Sequence, residues 1–473
     1  MLNIFWGVLM KRTHLYQAIV SITALSAVLG AQAQNSGGLE EVTVVGSKAS
    51  LLSAVDKQRE SDSIISVVDS DALGSFADTT AAEAVRRLSG ISVENDQGEG
   101  RYVTIRGLSS DLNSIAVNGA SMVAPENGRS VMLDGLPTEL LDSITVAKTL
   151  TPEMDADSIG GRIDFKSKKP TDLDGKLLNV KLHNNFSQYA DETLNPKFAI
   201  TYGDKLNESL GHMLGLTYSS KDIVAYNNET GFGWEDGYMN DDYEMRYYEL
   251  TRERYGLSYD IDSLVGNGRL FMSALWNQYD DAELRWKDEY GKLSLIDGTA
   301  TATGMQTDRM RHDAETRVRY ETRTIAAVTF GFEGNAGDWT IDPMLSYSFA
   351  EEDDSDNADV TFRLDQKDTV GNIDWSNPQE VIITPTDLSI YDPAQIEFKE
   401  LEITENVSKD SEIAFSINAE KEFDFGILKM GFKSKDRKKD VDDYIIVYET
   451  DMTMADFDPQ TLDWQIPGQT FSP

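Results

Sequence analysis

The sequence is poor in the residues that most often carry chemistry. It has no cysteine at all, which removes disulfides, thiolate nucleophiles and thiolate-ligated zinc together. Histidine occurs at His14, His183, His212 and His312 only, too few and too scattered for a histidine-rich metal site. Positive charge is scarce: 43 Lys and Arg face 81 Asp and Glu, a formal net charge of −38. That balance excludes nucleic acid as a partner and disfavours a bare anionic lipid surface. Long apolar runs are also missing apart from one, Leu15 to Gly30. Carboxylates abound, yet no pair stands at a spacing that fixes catalytic geometry, so a secreted hydrolase is the weaker alternative and no catalytic residue, cofactor or metal site is assigned.

The lone apolar run has a specific context. Lys11 and Arg12 precede it and Ala31-Gln32-Ala33 follows it, the small residues that signal peptidase requires. Residues 1–33 are therefore read as a cleaved signal peptide, with Met10 as the expected start of translation and Gln34 as the mature N-terminus. After a Gly/Ser spacer comes Glu40-Glu41-Val42-Thr43-Val44-Val45-Gly46, a short β-branched island with no partner strand close by. On its own residues it reads either as an ordinary first strand or as a segment lent to the sheet edge of another protein.

Residues 61–170 alternate short strands, turns and glycines. Ile64 to Val68 reads as a strand. Asp78-Thr79-Thr80 caps a helix over Ala81 to Leu88, which Ser89-Gly90 ends. Ile91 to Val93, Tyr102 to Gly107, Ser114 to Gly119 and Ile144 to Val146 read as strands, with a second helix over Pro137 to Ser143. Gly160-Gly161 breaks the chain before Arg162 to Lys166. The whole is a small α+β unit.

Five stretches of this unit, in order, resemble the plug domain of TonB-dependent outer-membrane receptors. They are Ala84 to Val93, Gly98-Glu99-Gly100-Arg101-Tyr102-Val103-Thr104-Ile105-Arg106-Gly107-Leu108, Val117-Asn118-Gly119, Leu141 to Lys148, and Asp157 to Lys168. The wording of Gly98 to Leu108 and the Asn118-Gly119 turn is similar to the proteobacterial branch that includes oligosaccharide importers. Two departures stand out: Asn118-Gly119 replaces the usual Asp-Gly, and Lys148-Thr149-Leu150-Thr151-Pro152 replaces lysine-glycine-proline. The resemblance implies that Glu40 to Gly46 is the TonB box, within a box-and-linker region 34–60, and that TonB, with ExbB and ExbD, is the partner. It implies that Arg106 and Arg162 bind carboxylates on the barrel wall, and that Gly107, Asn118, Gly119, Gly160 and Gly161 form the plug's turns. It places the protein in the outer membrane of a Gram-negative bacterium, against lipid and lipopolysaccharide, with an extracellular small ligand.

Beyond residue 170 the pattern has period two. Phe198, Ile200 and Tyr202, then Leu214, Leu216 and Tyr218, then Val328, Phe330 and Phe332, and Ile413, Phe415 and Ile417 alternate with small or polar residues, as in strands with lipid on one side and water on the other. Brief links at Gly203 to Gly211, Asp260 to Gly268, Gly334 to Asp338 and Phe423 to Gly426 alternate with long polar ones at Asp222 to Asp242, Asp281 to Asp313 and Glu351 to Val407. That regularity fits a barrel with turns at one end and loops at the other better than a β-sandwich. About nine strands are expected over 171–473, against about 22 for a plugged barrel, so the barrel is expected to be incomplete. Glu351 to Asn357 reads as a solvated acidic loop in preference to a calcium loop, since it lacks a turn glycine and spaced ligands. Trp234 and Tyr238, with Tyr243, Tyr247 and Tyr248 beside them, are candidates to stack on sugar rings or to serve as interfacial aromatics.

Overall fold

The computed structural model describes residues 54–61, 63–69, 80–187, 190, 194–231, 233–235, 238–239, 241–377, 379 and 381–457. The signal peptide and Glu40 to Gly46 lie outside these residues.

The plug is built from β1 (Ile65–Asp69), α1 (Ala81–Val85), β2 (Ile91–Asp96), β3 (Glu99–Ile105), β4 (Asn113–Val117), β5 (Ala120–Ser121), β6 (Ser143–Ala147) and β7 (Gly161–Lys166). One sheet runs β1-β6-β7-β4-β5, with only β4 and β7 parallel, and β2 and β3 form a separate hairpin. The core lies where Ile105, Leu133, Leu136, Ile144, Ile163 and Phe165 meet, all fully buried. Both expected helices are shorter than the sequence suggests. The first ends at Val85, and Arg86 to Gly90 continue as turns. The second is a single 3-10 turn, Thr138–Leu140, because Leu141 is already extended and Asp142 N–H donates to the Lys166 carbonyl at 2.7 Å. Pairing with β7 claims that backbone before a helix can propagate.

Glycine is required at two close approaches in this unit. A Cβ at Gly161 would stand 2.7 Å from the Ala147 carbonyl oxygen, and one at Gly160 would stand 2.1 Å from Asn113 Oδ1. Asn118 and Gly119 have φ of 48° and 87°, the two positive values that a tight hairpin turn of type I′ needs between β4 and β5.

The second part is one antiparallel sheet. Its long strands are β8 (Leu177–Asn185), β9 (Asn195–Asn207), β10 (Leu210–Glu229), β13 (Asp241–Val265), β14 (Gly268–Leu293), β15 (Gly304–Ala336), β17 (Met344–Asp374), β19 (Glu397–Phe423) and β20 (Gly426–Tyr448). Short pieces β11 (Trp234–Glu235), β12 (Tyr238–Met239), β16 (Trp339–Ile341) and β18 (Ile382–Pro385) decorate the connections. Among the described residues the nine long strands match the expected number. Each pairs with the next, and among the described residues β8 and β20 have no partner on their outer edges, so the sheet stands open. A β-sandwich is excluded, since the strands form a single wall.

One face of that wall is apolar and exposed, carrying Leu257, Val328, Phe330, Tyr347, Ile413 and Phe415, while the other presents Ser258, Ser273, Asn277, Thr329 and Ser348 to the plug. Small wall residues make room for the plug: a Cβ at Gly215 or Gly256 would fall 2.7 or 3.0 Å from Leu140.

The loop boundaries require correction. Strands continue well into the long polar links, which shrink to 230–240, 294–303 and 375–396. Glu351 to Asn357 belongs to β17 and is not a loop; Glu352 turns inward, and Glu351 pairs with Lys409 at 2.9 Å. The physical reason is cross-strand charge. Arg363 takes Asp313 with two bonds of 2.7 and 2.6 Å, Arg317 takes Asp359 at 2.9 Å, and Lys287 reaches Glu315 at 3.1 Å. Opposite charges facing each other across a ladder support strands that have left the apolar band.

Candidate functional site: the contact between plug and wall

The densest contact starts at the tip of the β2–β3 hairpin. Gln97 and Gly98 take φ of 47° and 83°, and this turn delivers Glu99 into the wall, where it is 2 % exposed. Its carboxylate receives Lys221 of β10 at 2.8 Å and, from β13, Arg252 at 3.0 Å and Arg254 at 2.6 Å. Arg252 also reaches Asp281 of β14 at 3.1 Å and donates to Gln97 Oε1. Burial alone would raise the Glu99 carboxyl, but Arg254, Arg252 and Lys221 outweigh it and hold the group well below the usual carboxylate range.

A second plug carboxylate completes the cluster. Asp134, 2 % exposed, accepts both terminal nitrogens of Arg323 of β15 at 3.3 Å, and its carbonyl accepts Arg254 Nε at 2.8 Å. The wall supplies these cations as a row, because Arg254 is the register partner of Tyr279 and Tyr279 that of Arg323. The Tyr279 ring therefore lies between two guanidinium groups, 3.9 Å from that of Arg323 and 5.0 Å from that of Arg254.

Two further contacts join the parts. At the end of the short turns, Asn118 Nδ2 donates to Ser167 and to Ser273 of β14, Ser167 and Ser273 both donate to Asp260 of β13, and Thr171 bonds Asp262 twice at 2.9 Å. A cavity of about 340 Å³ opens beside them. On β20, the inward-facing Lys433 binds Asp155 at 2.7 Å, Lys435 binds Asp157, and Lys439 donates to the carbonyls of Ala124, Glu126 and Gly128.

Among the described residues, the expected arginines bond within the plug and not to the wall. Arg106, at φ 54°, donates to the Gly160 carbonyl at 3.3 Å, inside the plug. Arg162 binds Asp164 at 2.9 Å and Asp155 at 3.3 Å, both plug residues, and touches the wall only indirectly because Asp155 also accepts Lys433. At the buried seam the polarity is reversed, with plug carboxylates meeting wall cations, while at the exposed Lys169 a plug cation meets Glu333 of β15 at 3.3 Å. Gly107, with φ 76°, follows Arg106 in a turn, and Asn118 bonds to the wall as well as standing in its own turn.

Trp234 and Tyr238 do not lie on the plug-facing surface. Trp234 is 46 % exposed and packs edge-on against Trp375 at 5.1 Å, while Tyr238 packs on a cluster of Met239, Tyr243, Tyr290, Met310 and Trp375 that ties the connections to the strand ends.

Sequence reasoning missed Glu99, Asp134, Arg252, Arg254, Tyr279 and Arg323. A signal was present: Arg252 and Arg254 share a strand face with Gly256 and Ser258, and charge next to such small residues marks a face that meets another part of the protein.

Residues 57–162 match the family described as TonB-dependent Receptor Plug Domain. This stretch is a TonB-dependent receptor plug domain. Among solved structures the chain is similar to the ferric citrate transporter FecA in the unliganded form, at 11 % identity over 82 % of this chain and 76 % of that one, with a TM-score of 0.33. A mutant of the ferric enterobactin receptor PfeA from Pseudomonas aeruginosa, in complex with enterobactin, is 10 % identical over 80 % of this chain and 72 % of that one, with a TM-score of 0.36. A double mutant of the Serratia marcescens hemophore receptor HasR, in complex with HasA and heme, is 12 % identical over 83 % and 62 %, with a TM-score of 0.35. No curated protein sequence matches the chain. Glu99 and Asp134 fasten this plug to the wall, and Glu139 adds a third buried pair with Lys197 of β9 at 2.7 Å.

Proposed function

We propose that this receptor takes up a scarce extracellular ligand across the outer membrane, driven by TonB, ExbB and ExbD acting through Glu40 to Gly46, and that it does no covalent chemistry. The observation that carries the reading is the buried seam of Glu99 and Asp134 with Arg252, Arg254 and Arg323. Displacing a plug held by several buried ion pairs leaves buried charges uncompensated, a cost that work delivered from outside the protein would meet. Val42 to Val45 are suited to adding an edge strand to a partner, where main-chain bonds matter more than side-chain identity.

Val44→Pro in the receptor removes an edge donor, and we expect it to abolish uptake while ligand binding at the cell surface persists. Equal uptake by mutant and parent would end the reading. For the ligand, the wording of Gly98 to Leu108 supports an oligosaccharide; an iron chelate, haem or cobalamin is the second reading, favoured by the similar ferric and haem receptors. Growth of a deletion strain on oligosaccharides as sole carbon source, against growth on chelated iron, separates the two.

A further inference from the structure

His312 of β15 is 5 % exposed and stands on the wall face opposite the plug, since its register partner Tyr290 is odd-numbered steps from Asp281 along β14. It lies eight residues beyond Tyr320, outside the apolar band that ends near Ala326. Over it folds the 3-10 turn Leu388–Tyr391, whose Ile390 is fully buried.

Both ring nitrogens of His312 face oxygen acceptors. Nδ1 is 3.2 Å from the Ile390 carbonyl oxygen and Nε2 is 3.0 Å from Asp288 Oδ1. A neutral imidazole carries one N–H, so one of those contacts would set a lone pair against an acceptor; only the imidazolium, with two donors, satisfies both. The ring is stacked on Tyr290 at 5.2 Å and meets Tyr391 edge-on at 5.6 Å, and the two tyrosine hydroxyls bond each other at 2.9 Å. From β17, Gln366 donates to Ser389 at 2.8 Å.

We propose that His312 is a proton-operated clasp whose imidazolium holds the Leu388–Tyr391 turn to the outer face of the wall, and that loss of the proton releases the turn. The facing groups favour the charged ring. Asp288 comes from β14, Tyr290 and Tyr391 contribute phenols, and β17 presents Leu364 as the register partner, without charge; Asp313, next in the strand, acts from the opposite face, where Arg363 and Arg311 bind it. Burial pulls the His312 value down, but the bond and charge of Asp288 and the Ile390 carbonyl raise it above the ordinary value. With a raised folded value the clasp is complete below the ordinary histidine range and is lost as pH rises through the folded value.

The chain has no cysteine, so Leu388→Cys, at a side chain 70 % exposed, takes a single spin label. Labelled receptor in outer membranes is compared at about pH 6 and about pH 9, on either side of the expected transition. The mobile fraction of the label should rise at least about twofold, while adding His312→Phe, which keeps the ring stack and removes both bonds, should give a mobile spectrum at both values. Nitrogen resonance of His312 should show two protonated ring nitrogens at the lower pH. A label spectrum unchanged between the two, a His312→Phe receptor that still responds to pH, or a bare ring nitrogen at the lower pH would each overturn the clasp.

Discussion

Two of the ionic seams between plug and wall differ chemically. On β13 to β15 the fasteners are arginines, Arg252, Arg254 and Arg323, with side chains 3, 6 and 4 % exposed, and they are shared among Glu99, Asp134, Asp281 and Glu321. On β20 they are lysines, Lys433, Lys435 and Lys439, 27, 30 and 22 % exposed, each gripping an aspartate or a set of backbone carbonyls. A guanidinium fork holds direction as well as charge, whereas an ammonium on a flexible stem holds charge alone. Water also screens the second set and scarcely reaches the first. The first seam therefore acts as an anchor and the second as a clip.

The anchor should break hardest. Glu99→Gln leaves Arg252, Arg254 and Lys221 facing a neutral amide in a nearly dry site, and removing one partner of such a cluster costs about 3–5 kcal/mol. Denaturant unfolding of the purified receptor, followed by a probe on the plug, should show this as an earlier midpoint; a midpoint within error of the parent would remove the distinction between the seams. The same pair has a pH signature. Glu99 sits below the usual carboxylate range when folded, so its contribution is present above the unfolded value of about 4.3 and is lost only as pH falls through the lower folded one. Acidification to about pH 4 should therefore leave the parent anchor intact.

Arg254→Lys tests the fork itself at constant charge. Arg254 spends one nitrogen on Glu99 at 2.6 Å and another on the Asp134 carbonyl at 2.8 Å, and a lysine cannot serve both directions. Loss of one bond at a buried charge predicts about 1–3 kcal/mol, smaller than the loss in Glu99→Gln, read in the same unfolding experiment. Equality with Glu99→Gln would mean that the anchor senses only the number of charges.

Much of this protein was legible before the structure. The alternation of Leu214, Leu216 and Tyr218 with Gly215 and Thr217 is a local period, and it identified wall strands; Asn118-Gly119 is a local turn, and its two positive φ values followed. Strand ends were misjudged because Asp281, Asp313 and Glu351 look like loop residues until the opposing charges on neighbouring strands are known. The anchor was missed for the same reason. Glu99 and Arg254 stand 155 positions apart, and only the register of three strands shows that Arg254, Tyr279 and Arg323 form one row. Arg106 and Arg162 were assigned by resemblance, which transmits a role to a position but says nothing of whether the opposing wall carries acids or bases.

The clip should respond least, and in its own way. Lys439→Ala removes three donations to the carbonyls of Ala124, Glu126 and Gly128, but the side chain is partly in water, which can replace it at those oxygens. The expected cost is about 0–1 kcal/mol. Hydrogen exchange separates this from the anchor better than global unfolding does, because opening of one seam exposes only the amides behind it. Amides of 124–128 should exchange faster in Lys439→Ala, and in the parent at about 1 M salt, where exposed charges interact over only about 3 Å. Those of 99–105, behind Glu99, should be unmoved by either treatment. A plug that yields first at β20 shows faster exchange at 124–128 alone; equal acceleration at both places would make the two seams one cooperative unit and remove the distinction between anchor and clip.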